Sequence, residues 1–233
     1  MPQILEVSEA LEAAYFFQYG ELPLPPYIQA ARSNRHHVPK DQFWYQTCFA
    51  KKEGSLAAPT AGLHFKEADF DFLVKKGVEI IDVTLHVGLG TFLPIQTETI
   101  EDFKIHSESF EVSRTDYEKI KKAHEAGGRI ITLGTTSTRV TETLARIPKD
   151  YDFQKDFASH HFKFSVHENQ IFGETQIYLN KTSDFLWVNG ILTNFHQPQT
   201  SLLVMICAFG GYDHVMSSYR HAVSSKFRLF SYG

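Results

Sequence analysis

Four histidines of this chain border segments that are rich in small and polar residues. They are His64 at the end of the stretch AAPTAGLHF, His86 and His106 near predicted strand ends, and His196 after another strand. Imidazole accepts and donates protons near neutral pH, so these residues are candidates for acid–base catalysis. A lone histidine near a strand end is nevertheless more often a structural hydrogen-bonding residue than a catalyst.

Together with Glu108, the same histidines are candidate ligands for zinc or iron. The H-x-H, H-x-x-E-H and C-x-x-C spacings that would make metal binding a specific prediction are absent from the sequence. Metal binding is therefore the weaker interpretation of this group.

Polar or glycine-rich loops follow three predicted strands. The residues concerned are Gly88, Gly90 and Thr91 after VEIIDVTLHV, Thr135, Thr136 and Arg139 after RIITLG, and His196 after GILTNF. In parallel α/β folds, the loops at the carboxyl ends of the strands form the ligand crevice. Three such loops in one chain therefore predict an enzyme.

Two of these loops have plainer alternatives. The stretch LGTTSTR opens a predicted helix, where an anion would bind, but an ordinary capping turn explains it equally well. The stretch HVGLGTF does not match a dinucleotide fingerprint. Its glycines indicate either a close approach of the backbone to a ligand or a tight turn.

Alternating helix and strand patterns give the predicted fold. We expect an α/β, barrel-like (β/α) domain with mostly parallel strands, open or closed. The predicted helices span 4–20, 66–77, 116–128, 137–147 and a final pair within 201–224. The predicted strands span 78–87, 103–112 and 129–134, with a hairpin at 185–195 around Asn189-Gly190 and a last strand beginning at 227. Ser8 and Ser113 are the predicted helix caps.

The composition is that of an ordinary globular protein. The 233 residues carry a formal net charge of −4, which argues against nucleic-acid binding through bulk charge. Basic clusters at 32–40 and 220–228 are either solvated surface or a local basic face. No apolar run approaches the length of a membrane span, and two cysteines indicate reduced thiols. We therefore expect a cytoplasmic protein without a membrane partner.

Eight ordered blocks carry a specific resemblance. They are LPLPPYI (22–28), YQTCFA (45–50), GSLAAPTAGLHF (54–65), TLHVGLGTF (84–92), IHSE (105–108), LGTTSTR (133–139), LTNFHQP (192–198) and FRLFSYG (227–233). In this order they closely resemble the S-adenosylmethionine:tRNA ribosyltransferase-isomerases of queuosine biosynthesis. The resemblance extends from Leu22 to the end of the chain.

The resemblance implies a reaction between two substrates, S-adenosylmethionine and a tRNA. The ribosyl part of S-adenosylmethionine joins the 7-aminomethyl-7-deazaguanine base at the wobble position, giving epoxyqueuosine-tRNA, adenine and methionine. The sulfonium acidifies the adjacent ribose carbon, so a base must remove that proton, and departure of adenine needs an acid. No metal or redox cofactor is implied, because S-adenosylmethionine is a substrate.

The resemblance also suggests roles for individual residues. The acid–base candidates are His64, His86, His106 and His196, with Glu108 as a base or an orienting partner. The expected substrate-binding residues are Thr135, Thr136 and Arg139 for the methionine carboxylate, Gly88, Gly90 and Thr91 for the nucleoside, Tyr27 and Tyr45 as stacking platforms, and Thr60 and Asn194. The stretch AAPTAGLHF would form an active-site wall beside His64.

Members of the resembling family are longer than this chain. We therefore expect a fragment or a shortened relative, with an N-terminal helical segment at 1–21 and an incomplete barrel-like catalytic domain at 22–233. The small β-barrel domain of the family is expected to be absent, and a monomer is favoured. Two alternatives remain: a non-catalytic nucleoside- or tRNA-binding member of the family, and a metal-dependent hydrolase.

Overall fold

The structure, a computed structural model, describes residues 6–32, 36–88, 90 and 94–231. Its helices are α1 Ala13–Tyr19, α2 Pro26–Ala31, α3 Asp41–Trp44, α4 Glu67–Lys75, α5 Arg114–Glu125, α6 Gly134–Leu144, α7 Ser201–Gly210 and α8 Tyr212–Ser224. A 3₁₀ turn spans Thr60–His64. Its strands are β1 Thr84–His86, β2 Glu108–Ser113, β3 Ile130–Leu133, β4 Phe157–Ala158, β5 Phe162–His167, β6 Gln170–Thr175 and β7 Val188–Leu192. No helix within these described ranges is long and apolar enough to cross a membrane.

The strands form one large and one small sheet. Five strands pair antiparallel in the order β1-β2-β6-β5-β4, while β3 and β7 form a separate parallel pair. The predicted barrel-like domain of mostly parallel strands is therefore wrong. The tight turn Glu168-Asn169 is one local reason for the antiparallel pairing, because it joins the paired residues His167 and Gln170. Two strands joined by so short a loop must run antiparallel.

The largest of three apolar clusters among the described residues lies between the large sheet and two helices. Its fully buried members include Phe110 and Ile171 from the sheet, Tyr117 from α5, and Val140 and Leu144 from α6. Ser113 ends β2 and caps α5, since its Oγ accepts a hydrogen bond from the backbone N–H of Asp116 at 2.9 Å. This predicted cap is confirmed, as are the locations of α4, α5, α6 and the pair α7–α8.

Several predicted boundaries are wrong. Residues 4–5 of the helix expected at 4–20 lie outside the described residues, and within 6–20 it is observed only as α1, with Glu12 and not Ser8 at its N-cap. The strand expected at 78–87 shrinks to β1, and residues 227–231 form no strand. The proposed hairpin turn Asn189-Gly190 lies inside β7, which pairs in parallel with β3. Asn189 Oδ1 accepts a hydrogen bond from the backbone N–H of Ile130 at 2.8 Å, so it joins strands instead of reversing the chain.

The helix α6 carries a fully buried carboxylate that holds the start of β7. Glu142 accepts hydrogen bonds from the backbone N–H groups of Leu186 at 2.8 Å, Trp187 at 3.0 Å and Val188 at 2.9 Å. Arg146 donates to the same carboxylate at 2.8 Å. A buried charge is tolerated when its hydrogen-bonding capacity is satisfied in this way.

We predict that Glu142→Gln lowers the free energy of unfolding by about 3 kcal/mol, because an amide NH₂ would face backbone donors and the charge-assisted bonds would be lost. Urea unfolding followed by circular dichroism measures this difference. Glu118→Gln is the matched control, since Glu118 is an exposed residue on the neighbouring helix α5. Equal destabilisation by both substitutions would contradict the anchoring role of Glu142.

Candidate functional site

Two adjoining depressions lie at one end of the parallel strand pair. The small cavity, of about 380 Å³, is bounded by residues 25–27, 57–61, 134–136 and 193–197. The large cleft, of about 830 Å³, is bounded by residues 43–44, 63–64, 193–195 and 228. The two share a wall formed by residues 193–195 and 230–231, so a ligand in one would lie beside a ligand in the other.

A chain of hydrogen bonds stands at the junction of the cavity and the cleft. His64 Nε2 lies 2.9 Å from Asn194 Oδ1, and Asn194 Nδ2 donates to Thr60 Oγ1 at 3.3 Å. Because the amide nitrogen donates to Thr60, the amide oxygen faces His64 and requires a proton on Nε2. Nδ1 of the neutral imidazole is then the atom that can accept a proton.

The N-terminus of α6 faces the small cavity. Gly134 starts the helix with a φ of 90°, in the left-handed region that favours glycine. Thr135 and Thr136 follow, are half-buried and line the cavity. Among the residues that the structure describes, no side chain caps this helix end, and its first turn contains no acidic residue, so the local field favours an anion.

His196 also lines the small cavity. Its Nε2 lies 3.0 Å from Thr193 Oγ1, and its backbone N–H donates to the Tyr219 hydroxyl at 2.8 Å. Burial lowers the pKa of His196 from 6.5 to about 4. The imidazole is therefore neutral at pH 7.

The two predicted stacking tyrosines differ in accessibility. Tyr27 is half-buried in the small cavity, with its ring 5.1 Å from that of Phe230 and its hydroxyl accepting a hydrogen bond from the Ser231 backbone at 3.2 Å. Tyr45 also borders the cavity, but it is only 3% exposed and packs with Leu24 and Ile28. Tyr45 thus supports the wall, whereas Tyr27 presents part of its surface to the cavity.

The sequence of this chain matches a family model described as "Queuosine biosynthesis protein" over residues 3–233. The chain belongs to this family. It is 40% identical over 217 residues to the S-adenosylmethionine:tRNA ribosyltransferase-isomerase of Thermotoga petrophila, with 93% of this chain covered. The corresponding protein of Coxiella burnetii is 42% identical over the same share of the chain.

A solved structure is similar to the fold described above. The crystal structure of S-adenosylmethionine tRNA ribosyltransferase from Thermotoga maritima aligns with a TM-score of 0.55 and 32% identity, covering 74% of this chain and 49% of that one. The predicted family resemblance is therefore confirmed. The chain spans 57% of the length of the curated relatives that it matches.

The remaining predicted residues of this family member form a second group at the end of β1. His86 pairs with Ser109 across β1 and β2, and its buried Nδ1 has no hydrogen-bond partner among the residues that the structure describes. Gly90 packs against His106, since a Cβ at this glycine would lie 2.0 Å from the imidazole Cδ2. Gly88, which was predicted to contact the nucleoside together with Gly90, lies two residues after the end of β1. Thr91 lies outside the described residues.

Glu108 and Arg139 form a buried ion pair. Arg139 donates from its guanidinium to Glu108, which is 5% exposed while Arg139 is 3% exposed. Gly88 N–H also donates to Glu108 at 3.4 Å. Among the described residues that line the cavity and the cleft, neither member of the pair appears. The ion pair connects α6 to the start of β2, and the Gly88 hydrogen bond connects it to the segment that follows β1. Both members of the pair lie behind the cavity wall.

The candidate metal ligands do not converge. His196 borders the small cavity, whereas Glu108 is paired with Arg139 and His86 and His106 lie near β1 and β2. Within the described ranges, no group of three or more histidine, cysteine, aspartate or glutamate side chains is arranged to hold a metal ion.

The sequence analysis missed two exposed aromatic residues beside Tyr45. Phe43 is 81% exposed and Trp44 is 54% exposed, and both line the large cleft with Arg228. The available signal was the run FWYQ, where three adjacent aromatics cannot all point into one core from a single short helix. Periodicity does not indicate which of the three is buried.

We predict that His196 makes stability pH-dependent. The unfolded state binds more protons between pH 6.5 and about 4, so stability is fully present above pH 6.5 and falls as the pH decreases through this window. The loss amounts to about 3 kcal/mol, given about 1.4 kcal/mol per pKa unit. Urea unfolding across this range should show a flatter profile for His196→Gln.

The control is His160→Gln, which removes an exposed histidine. This variant should keep the wild-type pH profile. A wild-type slope in His196→Gln would show that the neutral His196 is not the source of the pH dependence.

Proposed function

We propose that this chain carries the S-adenosylmethionine:tRNA ribosyltransferase-isomerase activity after which its relatives are named. The observation that carries the proposal is the chain His64–Asn194–Thr60 at the junction of two depressions. It offers an oriented proton acceptor between a smaller cavity and a larger cleft. A reaction that joins a small substrate to a macromolecular one needs such an arrangement.

S-adenosylmethionine occupies the small cavity in this proposal. Its volume of about 380 Å³ lies within the range of small-molecule sites. The methionine carboxylate faces Thr135 and Thr136 at the start of α6, where helix dipole and backbone donors favour an anion. Arg139 does not line this cavity, and its ion pair with Glu108 instead anchors the helix α6 that carries the two threonines.

His64 is the proposed proton acceptor. Nε2 is engaged by Asn194, so the lone pair on Nδ1 takes the proton from the ribose carbon beside the sulfonium. His196, neutral at pH 7 because burial lowers its pKa to about 4, accepts a hydrogen bond from the nucleoside. His86 and His106 remain candidates for the acid that protonates departing adenine.

The proposed reaction consumes S-adenosylmethionine and the aminomethyl group of the tRNA base. The carbon–nitrogen bond to adenine and the carbon–sulfur bond to methionine break, one bond forms between the amine nitrogen and the sugar, and a second forms within the sugar as it becomes bicyclic. The ribose carbon and the amine each lose a proton, adenine takes up one, and one is released to solvent as the positive charge of the sulfonium is lost. The sugar rearranges to an epoxycyclopentanediol, and no electron is gained or lost overall. The proposed chemistry therefore uses no metal or redox cofactor. The proposal also takes the protein to act as a monomer in the cytoplasm, where tRNA is modified.

The first test is release of adenine from S-adenosylmethionine, measured by liquid chromatography with and without tRNA bearing 7-aminomethyl-7-deazaguanine. We expect release that depends on the modified tRNA. His64→Gln should slow it by about 10²- to 10⁴-fold, as loss of a general base does. Asn194→Ala should slow it less, because it removes only the partner that orients His64, and His160→Gln should leave the rate unchanged.

One result would favour the non-catalytic alternative. If calorimetry detects S-adenosylmethionine binding by the wild type but no adenine is released with any tRNA, the chain binds the nucleoside without turning it over. Absence of both binding and release would contradict the proposed site.

A further inference from the structure

The large cleft has an exposed aromatic wall that the proposed chemistry does not use. Trp44, 54% exposed, and Phe43, 81% exposed, lie at the end of the short helix α3. The ammonium of Lys40 lies 5.4 Å from the centre of the Trp44 ring. Arg228 lines the same cleft and is exposed. An exposed apolar surface that is rimmed by polar or charged residues marks an interaction site.

An ion pair between Arg32 and Asp41 fixes the position of this aromatic wall. Arg32 donates two hydrogen bonds to Asp41, at 2.6 and 2.7 Å, and the backbone N–H of Val38 adds a third at 2.8 Å. Asp41 is fully buried and begins α3. The Arg32 hydrogen bonds lower the pKa of the Asp41 carboxyl, so the ion pair persists at neutral pH. Trp44 is thus held outward while its neighbour Tyr45 packs inward.

We propose that Trp44 and Arg228 bind an unpaired nucleotide of the tRNA substrate, with the base stacked on Trp44 and a phosphate at Arg228. This inference rests on the proposed function and assigns the macromolecular substrate to the large cleft. Stacking on an aromatic ring next to a cation is the usual way in which proteins hold single-stranded RNA. The cleft volume of about 830 Å³ accommodates a nucleotide with room for its neighbours.

The geometry also connects this platform with the proposed chemistry. Trp44 and His64 line the same cleft, and Asn194 belongs to the wall shared with the small cavity. A base stacked on Trp44 would therefore bring the RNA to the open side of His64, opposite the S-adenosylmethionine cavity. An apolar protein partner would not account for the two cations, Lys40 and Arg228, that flank the aromatic surface.

The tryptophan content makes a direct test possible. The chain contains two tryptophans, and Trp187 is 8% exposed in the core, so quenchable fluorescence reports on Trp44. The probe is a synthetic RNA hairpin with an unpaired loop and unmodified bases, added to the full chain without S-adenosylmethionine. We expect the hairpin to quench the fluorescence and to protect it from acrylamide. The Trp44→Phe variant should lack this signal.

Affinity is then measured with a fluorescently labelled hairpin. Trp44→Ala should weaken binding by about tenfold to a hundredfold, as loss of one stacking contact does. Arg228→Ala should weaken binding. It should also lower the slope of the logarithm of the binding constant against that of the salt concentration by the amount expected for about one phosphate contact. The control is Phe72→Ala on α4, because Phe72 is 59% exposed and has its own cation, Lys76, at 5.5 Å, but lies outside both depressions.

Unfolding in urea should be unchanged in Trp44→Ala, because the side chain is exposed. Equal affinities of wild type and Trp44→Ala, or an equal loss in Phe72→Ala, would overturn the proposal. Because the hairpin titration uses no S-adenosylmethionine, it can disprove nucleotide binding at Trp44 and Arg228 even if adenine release persists. Conversely, RNA binding through Trp44 without adenine release would sustain the platform and contradict the proposed activity.

Discussion

The structure depends on one buried helix whose polar side chains bond to the strands around it. In α6, Glu142 fixes the start of β7, Arg139 pairs with Glu108 at the start of β2, and Thr143 bonds to Thr175 at the end of β6. Two opposite charges and a hydroxyl are therefore buried on one helix. Each is tolerated only because its partner is present, and removal of one partner costs more than the bond itself contributes.

This constraint determines where the candidate site forms. The same helix presents Thr135 and Thr136 to the small cavity at its N-terminus, and it holds β7 near its other end. Asn194 and His196 follow β7 directly, so their distance from the threonines is set by the Glu142 hydrogen bonds. Thr135 and Thr136 thus lie on a buried helix, and Asn194 and His196 lie in the loop after β7, while the outer rim at residues 43–44 and 228 belongs to a short helix and a loop.

Local sequence signals predicted the elements better than their arrangement. The amphipathic helices α4 and α5 and the cap at Ser113 follow from spacing and residue type alone, and they are confirmed. The direction of a strand is not a local property, and the pair β5–β6 was not anticipated, so the parallel barrel was wrong. Asn189-Gly190 is a good turn sequence, but the Asn189 side chain finds a backbone partner in β3, and the tertiary contact prevails over the local preference.

The same limit applies to the candidate site. The family resemblance suggested His64, Thr60, Asn194, Thr135 and Thr136 as site residues, and all five line one or both of the two depressions. Sequence alone could not decide between adjacent aromatics. The residue that packs inward depends on the helix phase of α3, and that phase is set by the half-buried ion pair between Arg32 and the buried Asp41. A charge pair nine residues apart thus decides which ring supports the wall and which ring can meet a ligand.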